Sequence, residues 1–294
     1  MGMNWQRWLL FFGIGVMILL TAGPAVPLAE LALRRPKPRP EIVPYDAARV
    51  RIAARDGIAL VGAYEKATQA SRRCVVILHG VGSRRQDMPG LRSDFRAMGY
   101  NVLLPDGRGH GESGGAQLTY GVLERGDVHR WLDFLEKRDC SEGIYALGLS
   151  MGAAVVIESL VDETRIRAAA AESSFTSFEA IAEDRVHQMI PALGLLARPI
   201  VALGFGYARL RYGVKLWEAS PAAAAPKIQV PVLLIHGTED TNIDPKHSRA
   251  LLPLFGRAEL WMVPGARHVG CYGRDSVAYI RRVTQWFDAA ALGR

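Results

Sequence analysis

The stretch GIYALGLSMGAAVVIESLV, residues 143–161, decides the fold. Gly143 to Leu147 is a short apolar run of the kind found in strands buried on both faces. From Met151 to Val161 apolar residues return at three- and four-residue intervals, which is the period of a helix. Gly148-Leu149-Ser150-Met151-Gly152 sits between the two. A strand that turns at once into a helix around a Ser projects that side chain above the sheet. The backbone is crowded there, so the positions two before and two after the Ser must lack bulk. The helix N-terminus then aims free N–H groups at negative charge developing beside the Ser. In a chain with 30 Gly the five-residue pattern alone is weak, and its place between strand and helix gives it weight.

The same two periods alternate on either side. Val50 to Ala54 and Ile58 to Tyr64 flank Asp56-Gly57, a pair suited to a tight hairpin turn, and predict an antiparallel start. Buried strands are expected at Cys74 to Leu78, Asn101 to Leu104, Gly143 to Leu147, Ile166 to Ala171, Val230 to Ile235 and Glu259 to Val263. Helical patterns cover Asp87 to Met98, Leu123 to Lys137, Met151 to Val161, Lys246 to Phe255 and Ser276 to Ala289. This alternation predicts an α/β fold with a mainly parallel sheet covered on both faces. Residues 176–226 are too long for a plain crossover and hold apolar helices over Ile190 to Leu210, so a lid inserted over the sheet is expected there.

The 294 residues, 49% hydrophobic, suffice for one large domain, expected over 45–294. Trp8 to Ala29 carries no charge and is long enough to cross a membrane, so residues 1–30 read as a membrane anchor. A cleaved signal peptide competes with that reading, because Arg7 precedes the stretch and small residues follow it. Trp8 stands where an interfacial aromatic belongs, and Pro24 and Pro27 are expected to kink or end the helix. RPKPRPEIVP, 35–44, reads as part of a stiff tether over 31–44, with the folded domain starting near Tyr45.

The net charge of +7 comes partly from Arg34, Arg35, Lys37 and Arg39 beside the apolar segment and suits anionic lipid head groups. That cluster favours a cytoplasmic domain, although anchored proteins of this kind also face outward, and the side of the membrane stays open. The other cations are scattered without interleaved aromatics, which argues against nucleic acid. Cys74, Cys140 and Cys271 have no metal-ligand spacing and cannot all pair, so no disulfide framework and no metal site are expected. Cys74 reads as buried strand and Cys271 as packing.

A serine hydroxyl needs a base within hydrogen-bond reach, and the base needs an acid to fix its tautomer. Seven histidines compete: His79, His110, His129, His187, His236, His247 and His268. Only His268 follows the last strand on a Gly-containing loop, and it is the leading base. Asp240 leads as the acid, a few residues beyond a strand end, while Asp244 before Pro245 reads as a helix cap. His79-Gly80-Val81-Gly82 ends an earlier strand, and the N–H groups of Val81 and Met151 are the candidate oxyanion donors. The loop DGRGHGES, 106–113, lacks the spacing and terminal Lys of a phosphate loop. It reads as a structural loop under the pocket, with Asp106 and Arg108 paired to each other.

HGVGS (79–83), PDGRGHGESGG (105–115), GLSMG (148–152), HGTEDTNIDP (236–245) and PGARHVG (264–270) together resemble the α/β-hydrolase superfamily, in its esterase, lipase and serine-aminopeptidase-like branch. The resemblance implies an eight-stranded sheet, a Ser150, Asp240, His268 triad and no cofactor. Ser at the nucleophile position speaks against the branches that use Asp there, the haloalkane dehalogenases and epoxide hydrolases. Three functions compete. The first is a membrane-tethered hydrolase of carboxylic or lipid esters, acting on a small-molecule or lipid substrate. The second is a serine peptidase, with Glu172, Glu179 or Glu183 as the group for a substrate terminus. The third is a catalytically silent, membrane-tethered interaction protein that kept the fold.

Overall fold

Each of the eight apolar runs expected to be extended is a strand. They are β1 Arg49–Ala53, β2 Ala59–Glu65, β3 Arg73–Leu78, β4 Asn101–Pro105, β5 Gly143–Leu149, β6 Ile166–Glu172, β7 Val232–Gly237 and β8 Ala258–Val263. They form one sheet in the order β1-β2-β4-β3-β5-β6-β7-β8, antiparallel at β1, β2 and β4 and parallel from there on. The structure, a computed structural model, describes residues 5–37 and 49–292, and their side chains except those of 6–8 and 10. Tyr45, residues 38–44 of the expected tether, Arg39, and the side chains of Arg7 and Trp8 lie outside the described residues.

Helices cover both faces, as the alternating buried pattern demands. Along β3, Cys74, Val76 and Leu78 join one core with Trp131 and Leu132, while Val75 and Ile77 join the other with Phe95 and Phe287. The ten α-helices are α1 Trp5–Leu33, α2 Pro89–Ala97, α3 Glu124–Glu136, α4 Met151–Ser159, α5 Phe178–Met189, α6 Ala197–Tyr212, α7 Pro221–Ala224, α8 Lys246–Leu251, α9 Cys271–Arg274 and α10 Ser276–Ala291 among the described residues. α3 and α4 pack on the first face, α2 and α10 on the second. α5, α6 and α7 fill the long interval between β6 and β7; α5 and α6 build a third apolar cluster around Phe178, Ile200 and Phe205, while α7 joins the first core through Ala224. The register pairs Leu78 with Gly148, Leu149 with Glu172, and Glu172 with Ile235, so β3, β5, β6 and β7 end along one edge of the sheet. Ligands gather at that edge in open α/β sheets.

Three expectations need correcting. Pro24 and Pro27 do not end α1, which runs on to Leu33 and takes in residues 31–33 of the expected tether. Each Pro removes one intrahelical donor. The helix continues because Thr21, Ala25, Ala29 and Leu33, one turn apart, are buried, with Ala25 and Leu33 in the cluster built around α6. Asp106 and Arg108 do not pair with each other. The Asp106 carboxylate meets the buried Arg85 guanidinium and accepts the Arg85 N–H at 2.8 Å, while Arg108 reaches Asp127 at 2.6 Å and Asp56 at 2.8 Å. Each side chain is taken by a partner on another segment, Asp106 by Arg85 before α2 and Arg108 by Asp127 on α3 and Asp56.

The third correction is a disulfide between Cys74 and Cys140. A separation of 66 residues says nothing about proximity, but β3 and β5 are neighbours with Arg73 beside Gly143. Cys140, just before β5, is thereby brought over the start of β3. Closing so long a loop in the unfolded chain is worth about 4 kcal/mol in the chain-entropy account. Cys140→Ser should therefore lower the unfolding free energy by up to that amount in denaturant titrations without reductant, and added reductant should remove the difference between variant and parent. Equal stability of the two without reductant would contradict the bridge.

Candidate active site

Ser150 stands between the last residue of β5 and the first of α4, with φ 55° and ψ −118°. A side-chain carbon at Gly148 would lie 2.3 Å from the Gly152 carbonyl oxygen, and one at Gly152 would lie 2.3 Å from that of Leu78. Both positions therefore exclude every larger residue, the mechanical reason for the glycine spacing. Of the four described non-glycine residues with positive φ, Ser150, Ser173 and Val269 lie at this edge of the sheet. Strain gathered in one place marks a site that the surrounding structure holds in position.

The strand-end loops bring the three singled-out side chains together. Ser150 Oγ lies 2.9 Å from His268 Nε2, and His268 Nδ1 lies 2.8 Å from Asp240 Oδ2. With Nδ1–H donating to the carboxylate, Nε2 is left to accept the Ser150 O–H. Asp240 is 4% exposed. Burial pushes its carboxyl pKa up, but hydrogen bonds from His236, His268 and the Ile243 N–H outweigh burial and hold it well below the usual carboxylate range. It is ionised at neutral pH. Asp244 instead accepts the Lys246 N–H at 2.7 Å just before α8, whose N-cap position is Pro245 rather than the expected Asp244.

The other histidines have other partners. His79 donates from Nδ1 to the Gly80 carbonyl at 2.8 Å and accepts the Gly107 N–H at 2.9 Å. His110 accepts the Gly82 N–H at 3.1 Å and donates to the Arg108 carbonyl at 3.1 Å. In the same turn the Gly82 N–H is engaged by His110 and the Ser83 N–H donates to the Gly80 carbonyl. Val81 and Met151 line one cavity with Ser150 and His268. That cavity measures about 620 Å³, and its apolar walls include Phe175 and, from the insertion, Phe178, Val186, Ile200 and Phe205. The 106–113 loop lies outside it, behind the 80–83 turn.

Two residues take supporting roles that the sequence did not assign to them. His236, fully buried, donates from Nε2 to the Ile243 carbonyl at 2.8 Å, lies 3.2 Å from Asp240 Oδ2, and accepts the Ser248 hydroxyl at 2.7 Å. Glu172, also fully buried, accepts the Cys271 N–H at 3.0 Å and the Tyr279 hydroxyl at 2.8 Å, which ties the loop carrying His268 to β6. Its burial raises the carboxyl pKa against those hydrogen bonds. The only sequence signal was a lone acid closing the run Ala168 to Ala171. Cys271 is buried, and burial beside Glu172 raises its thiol pKa, so it stays protonated.

A model of the alpha/beta hydrolase family matches residues 75–280. The chain belongs to that family. Among curated relatives it is 26% identical over 231 residues to the uncharacterised protein YqkD of Bacillus subtilis, covering 76% of this chain and 74% of that one. It is 25% identical over 268 residues to human monoglyceride lipase, covering 80% and 87%. Among solved structures, the Pyrococcus furiosus esterase Pf2001 superposes with a TM-score of 0.70 at 23% identity, over 87% of this chain and 97% of that one. Est1E from Butyrivibrio proteoclasticus, solved with ferulic acid bound, gives 0.62 at 18% identity, over 83% and 100%. At these identities the solved structures establish the shared hydrolase fold.

The buried His110 provides a test of the turn that carries Val81. Burial first, and then neighbouring His79, lower its pKa from 6.5 to about 4. The folded ring stays neutral while the unfolded ring takes up a proton below about 6.5. Stability from this group is therefore complete above pH 6.5 and lost as pH falls toward 4, by about 3 kcal/mol in all. Denaturant titrations between pH 7 and 4.5 should show a steeper loss for the parent than for His110→Gln. Parallel curves would contradict the assignment.

Proposed function

We propose that the chain is a serine hydrolase that cleaves carboxylic esters of an apolar acyl group through an acyl-enzyme on Ser150. The observation that carries this reading is the hydrogen-bonded series Ser150, His268, Asp240 at the edge of an apolar cavity. Ser150 Oγ attacks the acyl carbonyl as its proton passes to His268 Nε2, and Asp240 stabilises the imidazolium that forms. The Val81 and Met151 N–H groups receive the oxyanion, the second helped by the N-terminus of α4. Collapse expels the alcohol, which takes the proton back from His268. Water, deprotonated by the same Nε2, then attacks the acyl carbonyl and restores Ser150. The chemistry calls on no cofactor.

The apolar walls favour a hydrocarbon acyl group, and likeness to monoglyceride lipase points the same way. A peptidase loses the acids meant for it. Glu172 is occupied, Glu179 is exposed, Glu183 sits 3.7 Å from Arg198, and none of the three lines the cavity. A silent interaction protein would have no need of the three aligned side chains. The 176–226 insertion serves as the lid. The Phe11–Leu33 part of α1 is long and apolar enough to cross a membrane, and the exposed first half of α1 serves as the anchor. The Cys74–Cys140 bridge favours an oxidising compartment, against the pull of the basic cluster after α1, because a stable disulfide is rare in the cytosol. Protease added outside intact cells should then reach the domain, and full protection would reverse that orientation.

A fluorophosphonate should label the parent and leave Ser150→Ala unlabelled. Asp240→Asn should lower kcat by about 10⁴ through the wrong His268 tautomer while leaving the fold intact. Across a p-nitrophenyl ester series each added methylene, worth ~0.8 kcal/mol when buried, should raise kcat/KM up to about fourfold until the cavity is filled. A folded parent that takes no label and cleaves no ester would leave the silent interaction protein as the better reading.

A further inference from the structure

We propose that the second half of α1 is a wall of the acyl-binding cavity, so that the N-terminal helix sets chain-length selectivity and receives the acyl chain of a membrane lipid ester. This rests on the serine-hydrolase reading of the same cavity.

The helix has two adjoining faces. Thr21, Ala25, Ala29 and Leu33 form a buried stripe with four-residue spacing. It meets α6 so closely that a side-chain carbon on Gly204 would lie 3.2 Å from the Ala25 carbonyl oxygen and 3.4 Å from Ala29 Cβ. Ala25, Leu28, Ala29 and Ala32, spaced three and four apart, line the cavity that holds Ser150 and His268. One stretch of helix therefore docks on the insertion and closes the site.

The end of α1 is also stitched into the domain. The Leu33 carbonyl accepts the Leu118 N–H at 3.0 Å, and the Ala32 carbonyl accepts the Tyr120 hydroxyl at 2.8 Å. Glu30 accepts the hydroxyls of Tyr207 at 2.5 Å and Tyr212 at 2.7 Å, both on α6. Arg35 reaches the Gly111 and Ser113 carbonyls, each at 3.3 Å. A passive anchor or a detachable leader needs none of these bonds. Cleavage among Ala22, Ala25 and Ala29 would cut through the wall itself.

The preceding half of the helix makes the source of the ligand specific. Phe11, Phe12 and Leu19 are exposed, as are Leu203 and Leu210 on α6, the helix packed against α1. At 1.5 Å per residue, residues 8–24 span about 25 Å, close to the thickness of a bilayer's hydrocarbon core. The cavity-lining turns that follow then lie at the membrane surface, where a single acyl chain can pass between α1 and the insertion without crossing water.

The test uses the full-length chain in phosphatidylcholine vesicles. Leu28→Trp should lower the palmitate-to-acetate ratio of kcat/KM for p-nitrophenyl esters at least tenfold, whereas Leu19→Trp should leave the ratio within twofold of the parent. A Leu28→Trp ratio within twofold of the parent would overturn the proposal. A second readout needs no turnover. In Ser150→Ala, a monoacylglycerol with a diazirine in its acyl chain should crosslink to the peptide holding residues 25–32. Crosslinks absent from that peptide would overturn the proposal as well. Failure of the parent to take a fluorophosphonate would sink the hydrolase reading alone, so the two failures are distinguishable.

Discussion

The close contact between the end of β5, the start of α4 and the end of β3 governs the rest of the molecule. Gly148 and Gly152 leave no room for a side-chain carbon, and this lets the backbone reverse within one residue and hold Ser150 at φ 55°. The turn is braced from the other side, where the Ser150 N–H donates to the Glu172 carbonyl at 2.8 Å at the end of β6. The sheet must deliver three strand ends to one point for that to happen. The parallel register of β3, β5 and β6 does so, and the cores on both faces hold the register.

Around this turn the buried polar groups that position the site are hydrogen-bonded in layers. Asp240 is steadied by the Asn242 and Ile243 N–H groups and by His236, and in turn orients His268. Glu172 holds the next loop through Cys271 and Tyr279. On the opposite side, His79 and His110 lie with ring centroids 4.9 Å apart and bond the 107–110 loop and the 80–83 turn. Buried polar groups satisfied in this way fix orientation at low cost, which a site that must align hydrogen bonds within tenths of an ångström requires.

Local patterns made much of this legible. Short apolar runs identified all eight strands. The central ones are buried on both faces and need apolar residues throughout. The edge strands β1 and β8 are partly exposed, so β8 is not the buried strand its run predicted. The glycines around Ser150 were readable because a steric rule links them to neighbours two residues away, and His268 because it follows the last strand. What escaped depends on contacts between distant segments. The tie of His236 to Asp240, the Arg85–Asp106 pair and the Cys74–Cys140 bridge leave no periodic trace in the chain. α1 escaped for another reason. The rule that Pro ends a helix holds when the freed carbonyls and the helix face lack support, and packing against α6 supplied that support here.

The account stands or falls on a covalent intermediate at Ser150. Rapid-quench measurement with a p-nitrophenyl ester, paired with mass spectrometry of the quenched protein, observes it directly. The account predicts a burst of p-nitrophenol approaching one equivalent and an acyl mass on the peptide carrying Ser150. Sustained ester turnover with no burst and no acyl mass on that peptide, or an acyl group on another residue, would contradict it.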